Sequence, residues 1–373
     1  MSALFKKIMQ EATRLTQRGH LQDATRAIQQ ALARVTEGFA TTKAPTRPAP
    51  ASPPAASPWI FDGYVTELPT KPSAPVTPPA EAPTRPAIRD TAEAFVEGRF
   101  EHALGALQYK LYTPPGPQAQ SMPLVLMLHG CTQDPDDFAA GTGMNAIALE
   151  HGFAVLYPAQ QQTANSQRCW NWFKPTDQQR DGGEAALLAA LVQHVTAQHA
   201  IDPRRVYVAG LSAGGAMASI LGHTHPDLFA AVGVHSGLAC GAANGLISAL
   251  SVMKSGNGRS TLQSTVPIIV FHGDADTVVH PHNGQAVLQS VVGAGEQSTP
   301  NKVQSKSPQG RTYTRTRYQR EDGSSLAEYW ELHGAGHAWS GGSNSGSYTD
   351  PLGPDASAEM WRFFQSHSRP LVH

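Results

Sequence analysis

One serine stands in a sequence context that can turn its hydroxyl into a nucleophile. Ser212 is the middle residue of Gly210-Leu-Ser-Ala-Gly214, which follows an apolar stretch beginning at Val206 and precedes a row of small residues. Glycine neighbours leave room for a sharp strand-to-helix bend, and this bend exposes the hydroxyl above a strand end with a helix N-terminus beneath it. The pattern predicts a nucleophile elbow at Ser212. The alternative is a serine in an ordinary strand–helix turn.

A serine hydroxyl is a weak nucleophile, so it needs a base within hydrogen-bond reach and a carboxylate that orients this base. Nucleophile elbows are typical of the α/β-hydrolase fold, in which the three groups follow one another along the chain as serine, acid and histidine. Downstream, an apolar run ends at Gly273, and Asp274 and Asp276 follow in the loop. The spacing Gly-x-x-Asp-x-x-Val favours Asp276 as the acid. Asp274 is expected to brace the loop through bonds to the backbone.

Two histidines after the last apolar run compete for the role of the base. His333 lies where the strand should end, whereas His337 lies beyond two glycines, in a loop that can fold back over the serine. This position favours His337. Three other histidines, His272, His280 and His282, match no usual zinc-ligand spacing, so we expect no metal.

Acyl transfer also needs hydrogen-bond donors directed at the oxyanion that forms on the carbonyl oxygen. In the elbow architecture one donor is the backbone N–H of the residue after the nucleophile, here Ala213, and the other comes from a loop after an earlier strand. The run Leu128-His-Gly-Cys-Thr-Gln133 fits that loop. It assigns the second donor to the backbone N–H of Cys131, whose sulfur has no nucleophilic role in this interpretation.

Apolar runs alternate with helical patterns from about residue 90 onward, which indicates a mainly parallel, doubly wound α/β-hydrolase sheet. The predicted strands lie within 100–112 and at 123–128, 153–157, 206–210, 230–234, 267–271 and 327–332. The predicted helices lie at 135–150, at 182–199 with Asp181 as N-cap, after the elbow, at 283–292 and at 355–366. Residues 237–265 lack a clear period, and we expect them to form a lid or wall.

Composition divides the 373 residues into three zones. Residues 1–36 carry apolar stripes at helical spacing and predict a helical hairpin similar to one tetratricopeptide-like unit, which either mediates self-association or docking or frays without a partner. Residues 37–88 are rich in Pro, Ala, Thr and Ser, so they predict a largely disordered linker. Residues 89–373 hold the catalytic domain.

Charge and hydropathy exclude several classes of protein. The formal net charge is −1, which provides no broad basic field for nucleic acid. No apolar run reaches the ~18 residues of a membrane-spanning helix. The first residues lack the apolar run of a secretory signal, so a cytoplasmic location is expected. Three cysteines are too few for a disulfide scaffold.

Several motifs, taken together and in order, resemble the poly(3-hydroxybutyrate) depolymerase family of esterases, which includes feruloyl and acetyl xylan esterases. They are His129-Gly-Cys-Thr-Gln, Cys169-Trp-Asn-Trp-Phe, Asp181-Gly-Gly-Glu, the elbow run from Asp202, His272-Gly-Asp-Ala-Asp-Thr-Val and His333-Gly-Ala-Gly-His-Ala-Trp-Ser-Gly-Gly. The resemblance covers residues 100–368. It implies cofactor-free ester hydrolysis through an acyl-serine, with the triad Ser212, Asp276 and His337 and with oxyanion donors on Cys131 and Ala213.

The resemblance also bears on the pocket and on two cysteines. Trp170, Trp172 and Trp339 are candidates for an apolar acyl or alcohol pocket, with core packing as the alternative. The family sometimes pairs cysteines near the active site, and Cys131 and Cys169 fit such a pair, although a reducing cytoplasm would keep them as thiols.

The expected substrate is a soluble ester or oligomer. Secreted polymer depolymerases carry a signal peptide and a separate substrate-binding domain, and the sequence shows neither. Two other functions stay open, a serine peptidase of the prolyl-oligopeptidase kind and a non-catalytic hydrolase-like interaction protein.

Overall fold

The apolar runs of the sequence become the central strands of one sheet in the computed structural model, which describes residues 94–116, 121–258, 262–293 and 300–370. The predictions for residues 1–36 and 37–88 lie outside this part of the chain. The strands of the sheet are β1 (Phe95–His102), β2 (Gly105–Tyr112), β3 (Met122–Leu128), β4 (Ala154–Ala159), β5 (Ile201–Leu211), β6 (Ala231–His235), β7 (Ile268–Gly273), β8 (Asn301–Lys306), β9 (Thr312–Gln319) and β10 (Ser325–Leu332).

The order of these strands across the sheet is β1-β2-β4-β3-β5-β6-β7-β10-β9-β8. All neighbours from β4 to β10 in this order are parallel. Antiparallel strands extend the sheet at both edges, β1 and β2 at one and β8 and β9 at the other. The predicted mainly parallel sheet is confirmed, whereas β8 and β9 were not predicted. A separate parallel pair is formed by β11 (Trp339–Ser340) and β12 (Thr349–Asp350).

Helices cover both faces of the sheet because successive side chains of a strand point to opposite faces. Leu124, Leu126 and Leu128 of β3 belong to one buried cluster, while Val125 and Met127 belong to the other. The helices are α1 (Pro135–Thr142), α2 (Met144–His151), α3 (Gly183–Gln198), α4 (Ala213–Thr224), α5 (Leu246–Ser255), α6 (His282–Val292) and α7 (Ala356–Phe364). The first cluster contains residues of α3, α4 and α6, and the second contains residues of α1, α2 and α7.

Two helix predictions need correction. The single helix expected at 135–150 is divided between α1 and α2, because Gly143 adopts a left-handed conformation with φ 63°. Asp181 is not the N-cap of α3, since Gly182 occupies that position. Asp177 takes over the capping bond instead, and its carboxylate accepts the backbone N–H of Glu184 at 2.8 Å.

The expected lid segment contains the amphipathic helix α5. Its residues Ala249 and Val252 are buried, while Ile247 is 81% exposed. The end of α5 is attached to the loop before α6, because the backbone N–H of His280 donates to Met253 O at 2.7 Å. The segment therefore lies beside the loop that follows β7, and its role as a lid stays a prediction.

Candidate active site

The turn between β5 and α4 holds Ser212 in a strained backbone conformation, with φ 57° and ψ −117°. Positive φ is costly for a residue with a side chain and is concentrated at functional sites. The glycines of the motif are required by close packing, since a Cβ on Gly214 would lie within 2.6 Å of the His129 carbonyl oxygen and even closer to Leu128. Ser212 is fixed further by a bond from its N–H to His235 O at 2.9 Å.

The loop after β3 lies directly against this turn. A Cβ built on Gly130 would be 3.7 Å from the Cβ of Ser212. Cys131 is the next residue of that loop, and Ala213 is the first residue of α4, whose N–H has no acceptor within its own helix. Among the hydrogen bonds of the described residues, none has the backbone N–H of Cys131 or Ala213 as its donor. Both amides therefore have no acceptor among these hydrogen bonds.

Asp276 and His337 are brought together by the pairing of β7 with β10. These strands are parallel neighbours, so the loops after both leave the same edge of the sheet. Gly273 ends β7 and permits the close approach of the other loop, because a Cβ there would collide with the carbonyl oxygen of Ala335. The result is a bond of 2.7 Å between Asp276 Oδ2 and His337 Nδ1.

The Asp276 carboxylate is buried but well satisfied. Its side chain is 0% exposed and that of His337 is 9% exposed. Oδ1 accepts the backbone N–H groups of Val278 and Val279, both at 2.9 Å. Burial alone would raise the pKa of Asp276, but the bond and charge of His337, with the Val279 amide, hold that pKa below its usual value. The carboxylate is therefore negatively charged at neutral pH.

The competing residues form a second pair. His333 Nδ1 lies 2.9 Å from Asp274 Oδ2, and His333 Nε2 lies 2.8 Å from Thr314 Oγ1. Asp274 Oδ1 accepts the backbone N–H of Gly334 at 2.6 Å. The prediction that Asp274 braces the loop by a side-chain to backbone bond is confirmed.

Two buried histidines surround the Asp276–His337 pair. Burial is the main cause that lowers the pKa of His235 to about 3. Burial also lowers the pKa of His272, whose Nε2 lies 2.8 Å from Val279 O. Both rings are therefore neutral near pH 7 and add no cation beside Asp276. In the described ranges, no group of three or more His, Cys, Asp or Glu side chains could hold a metal ion.

The three tryptophans expected in the pocket lie in the core. Trp170, Trp172 and Trp339 are 0%, 5% and 1% exposed. Trp339 donates from Nε1 to Ser357 Oγ at 3.1 Å and packs edge-on against Phe138. This burial agrees with the alternative, core packing. A role of the three side chains in an acyl or alcohol pocket stays a prediction.

Cys131 and Cys169 form a disulfide. The sequence left the pairing of these two cysteines open. The bond joins the loop after β3 to the loop after β4, and a backbone bond of 2.7 Å from Thr132 N to Gln167 O runs beside it. Disulfides persist mainly in oxidising compartments, so the expected cytoplasmic location stays a prediction.

Sequence reasoning missed a half-buried acid in the Asp181-Gly-Gly-Glu motif, Glu184. The Glu184 carboxylate accepts Nε2–H of Gln160 at 2.6 Å and the backbone N–H of Asn171 at 2.6 Å. Burial raises the pKa of Glu184 although these bonds oppose the rise. Its signal in the sequence was membership of a recurring motif to which no role was assigned.

The chain is an α/β hydrolase by its sheet order and by its strained serine turn. The loops with the acid and the histidine follow the carboxyl ends of parallel strands, as this fold requires. A solved acetyl xylan esterase from Aspergillus awamori has the same fold, with a TM-score of 0.55, 21% identity, and coverage of 70% of this chain and 94% of that one. The family described as "Esterase PHB depolymerase" matches residues 107–297. The chain belongs to this family.

Two relatives of this chain are named as a depolymerase and an esterase. The poly(3-hydroxyalkanoate) depolymerase C of Paucimonas lemoignei is 36% identical over 248 residues, which are 62% of this chain and 58% of that protein. The feruloyl esterase B of Thermothelomyces thermophilus is 29% identical over 45% of this chain and 63% of its own length. The chain thus matches less than two thirds of the length of either relative.

Within the part of the chain that the structure describes, no helix has both the length and the apolar character needed to cross a membrane.

Proposed function

We propose that the protein is a serine carboxylesterase that hydrolyses short-chain or hydroxyalkanoate-type esters, or their soluble oligomers, through an acyl intermediate on Ser212. The observation that carries this proposal is the buried Asp276–His337 pair at the sheet edge where the strained serine turn also lies. Membership of the esterase family supports the reaction class, and ester cleavage is the chemistry shared by the names of the relatives.

In the proposed reaction, Nε2 of His337 accepts the proton of Ser212 as the hydroxyl oxygen attacks the ester carbonyl carbon. Asp276 accepts the Nδ1–H bond and stabilises the imidazolium cation that forms. The N–H groups of Cys131 and Ala213 donate to the oxyanion of the tetrahedral intermediate. His337 then protonates the leaving alcohol. Water repeats the sequence and releases the acid from the serine.

The electrostatics of the surroundings favour this division of roles. His235 and His272 are neutral near pH 7, as their lowered pKa values require. His337 Nδ1, 2.7 Å away, is nearer to the Asp276 carboxylate than the neutral His272 ring, whose Nε2 lies 3.5 Å from Oδ2. A buried carboxylate stabilises an adjacent imidazolium more strongly than an exposed one, because solvent screens the interaction less.

The reaction class is tested by comparing esters with amides. Wild-type protein is assayed with p-nitrophenyl butyrate, 3-hydroxybutyrate oligomers, methyl ferulate and peptide anilides. We expect ester hydrolysis to exceed anilide hydrolysis and a fluorophosphonate probe to label Ser212. Faster anilide cleavage would overturn the proposal in favour of a peptidase, and no turnover of any substrate would favour the non-catalytic interpretation.

The nucleophile is tested by Ser212→Ala. This variant should lose about ten-thousand-fold or more in kcat while its thermal unfolding midpoint remains that of the wild type. Retained activity in Ser212→Ala would show that another group carries the acyl chemistry.

We also propose that residues 1–36 mediate self-association or docking. Light scattering of the full chain, compared with Ile8→Asp and Ile28→Asp variants, tests self-association, and a mass unchanged by both substitutions would contradict it. The cytoplasmic location is also a proposal, and fractionation of the cells that make the protein tests it. Recovery of the protein outside the cytoplasmic fraction would contradict it.

A further inference from the structure

The direction of the Cys131 amide is set by the peptide bond that joins it to Gly130. In a trans peptide the carbonyl oxygen and the following N–H point in opposite directions. The carbonyl oxygen of Gly130 lies 2.7 Å from Nδ1 of His129, and it also accepts a longer bond of 3.4 Å from the backbone N–H of Gln133. The N–H of Gly130 is held as well, since it donates to Gln133 Oε1 at 2.9 Å. A group that holds this carbonyl therefore also fixes the direction of the Cys131 N–H.

The surroundings of His129 select the ring form that can hold the carbonyl. The backbone N–H of Gln160 donates to Nε2 at 3.1 Å, so Nε2 carries no proton and the neutral ring carries its proton on Nδ1. Burial lowers the pKa of His129 to about 4 although the bond to Gly130 opposes this. The ring is 1% exposed and lies beside Trp170, with ring centroids 5.5 Å apart. Neither protonation near pH 7 nor ring rotation is favoured.

Gln160 is itself fixed from the first turn of α3. Its Nε2 donates to Glu184 Oε1 at 2.6 Å and to Cys169 O at 3.1 Å. A continuous path of hydrogen bonds thus joins Glu184, Gln160 and His129 to the Gly130 carbonyl. The path connects two motifs that contribute no residue to the triad, Asp181-Gly-Gly-Glu and His129-Gly-Cys-Thr-Gln.

We propose that His129 is a positioning residue, which holds the Gly130–Cys131 peptide so that the Cys131 N–H is directed at the oxyanion formed at Ser212. The inference rests on the proposed esterase function. His129 touches neither the substrate nor the reacting atoms in this role. Its effect falls on the transition state, where the oxyanion carries charge, rather than on substrate binding.

Two substitutions separate the two ring nitrogens. The amide of His129→Asn can place an N–H near the position of Nδ1, so it can still donate to Gly130. The amide of His129→Gln lies near the position of Nε2 and leaves the Gly130 carbonyl with only the longer bond of 3.4 Å from the backbone N–H of Gln133. We expect His129→Gln to lower kcat by about 10- to 100-fold, below the range for complete loss of a donor, with KM within about threefold of the wild type.

The readout specific to the oxyanion is inhibition by an alkyl trifluoromethyl ketone, which adds the serine and places an oxyanion in the same position. Its Ki should rise in His129→Gln by the same factor as kcat falls. His129→Asn should recover most of both effects. Equal losses in the two variants, or a Ki that stays at the wild-type value, would overturn the proposal.

His225→Gln is the matched control, because it makes the same change at another buried histidine. His225 is 6% exposed and lies after α4, where its Nδ1 is 2.8 Å from Thr224 Oγ1. It should lose stability without a change in Ki. If His225→Gln raises Ki as much as His129→Gln does, the effect is a general loss of packing and the proposal fails.

The wild type provides a measurement that does not depend on folding of the variants. The ¹⁵N shifts of the His129 ring should place the proton on Nδ1 from pH 8 down to about 5, above the pKa of about 4. A proton on Nε2 in this range would overturn the proposal. Failure of the esterase function is distinct, because it would appear as a wild type that hydrolyses no ester.

Discussion

Two aspartate–histidine pairs lie at the same end of the sheet, and they differ in burial far more than in length. Asp276 and His337 are joined over 2.7 Å by side chains that are 0% and 9% exposed. Asp274 and His333 are joined over 2.9 Å by side chains that are 38% and 30% exposed. An exposed ion pair is screened by water and contributes little, whereas a buried charge acts strongly on its partner. Distance alone therefore does not distinguish a catalytic pair from a structural one.

The two pairs also differ in whether the histidine has a ring nitrogen without a hydrogen bond. Both ring nitrogens of His333 are engaged, one by Asp274 and the other by Thr314. In the described part of the chain, the hydrogen bond of His337 uses Nδ1 alone. Only His337 therefore has a ring nitrogen free to accept the proton of a serine.

Replacing each histidine gives the largest contrast. His337→Ala should lower kcat by about ten-thousand-fold or more, because it removes the proposed general base. His333→Ala should keep kcat within about threefold, since its ring acts as a brace outside the chemistry. Steady-state kinetics with p-nitrophenyl butyrate measure both. Comparable losses in the two variants would remove the distinction drawn between the pairs.

The acids should follow the same pattern with a smaller effect. Asp276→Asn removes the charge that stabilises the imidazolium and should lower kcat by about a thousand- to ten-thousand-fold. Asp274→Asn keeps a side-chain oxygen for the Gly334 amide and should cost less than about tenfold. The ratio of the two kcat values is the measurement. A reversed ranking would transfer the role of the acid to Asp274.

The contribution of the buried Asp276–His337 pair to stability should depend on pH in the acidic range. The pKa of Asp276 is lowered in the folded protein, while an unfolded aspartate titrates near about 3.9. Its stabilising contribution is therefore complete above this unfolded value and is lost as the pH falls through the folded one. Urea unfolding between about pH 5 and pH 3 should show a steeper loss of unfolding free energy in the wild type than in Asp276→Asn. Equal slopes would contradict the lowered pKa.

The smallest effect is expected for the stability of the exposed pair. His333→Ala should lower the free energy of unfolding at pH 7 by about 1 kcal/mol or less, because solvent reaches both side chains of the pair and weakens their interaction. Urea unfolding measures this change as well. A loss of several kcal/mol would mean that the Asp274–His333 pair is a major source of stability at the C-terminal end of β10. The contrast between His333 and His337 would then depend on the kinetic measurements alone.

The loop that carries Asp274 and Asp276 could be predicted from the sequence, because it follows the apolar run of β7. Every residue of β7 is buried, and such runs mark strands covered on both faces. The all-exposed strand β8 had no comparable signal, since it is held by backbone pairing with β9 rather than by an apolar face.

Burial and side-chain pairing within the site could not be predicted to the same extent. Asp274 and Asp276 are two positions apart in one loop, and only the packing of the next loop against Gly273 decides which of them is enclosed. The path from Glu184 to His129 depends on a backbone N–H and a side-chain amide of Gln160. Neither leaves a periodic pattern in the sequence.

The order of the strands has a consequence for how the protein is made. Ser212 follows β5, Asp276 follows β7 and His337 follows β10, and β10 is held between β7 and β9. Pairing of strands that are distant along the chain is slow, because long loops must close first. On the proposed assignment, a chain still emerging from the ribosome carries Ser212 before the segment with its base, His337, has been made. During refolding in the laboratory, recovery of turnover would report the docking of β10 and not the earlier collapse of the core.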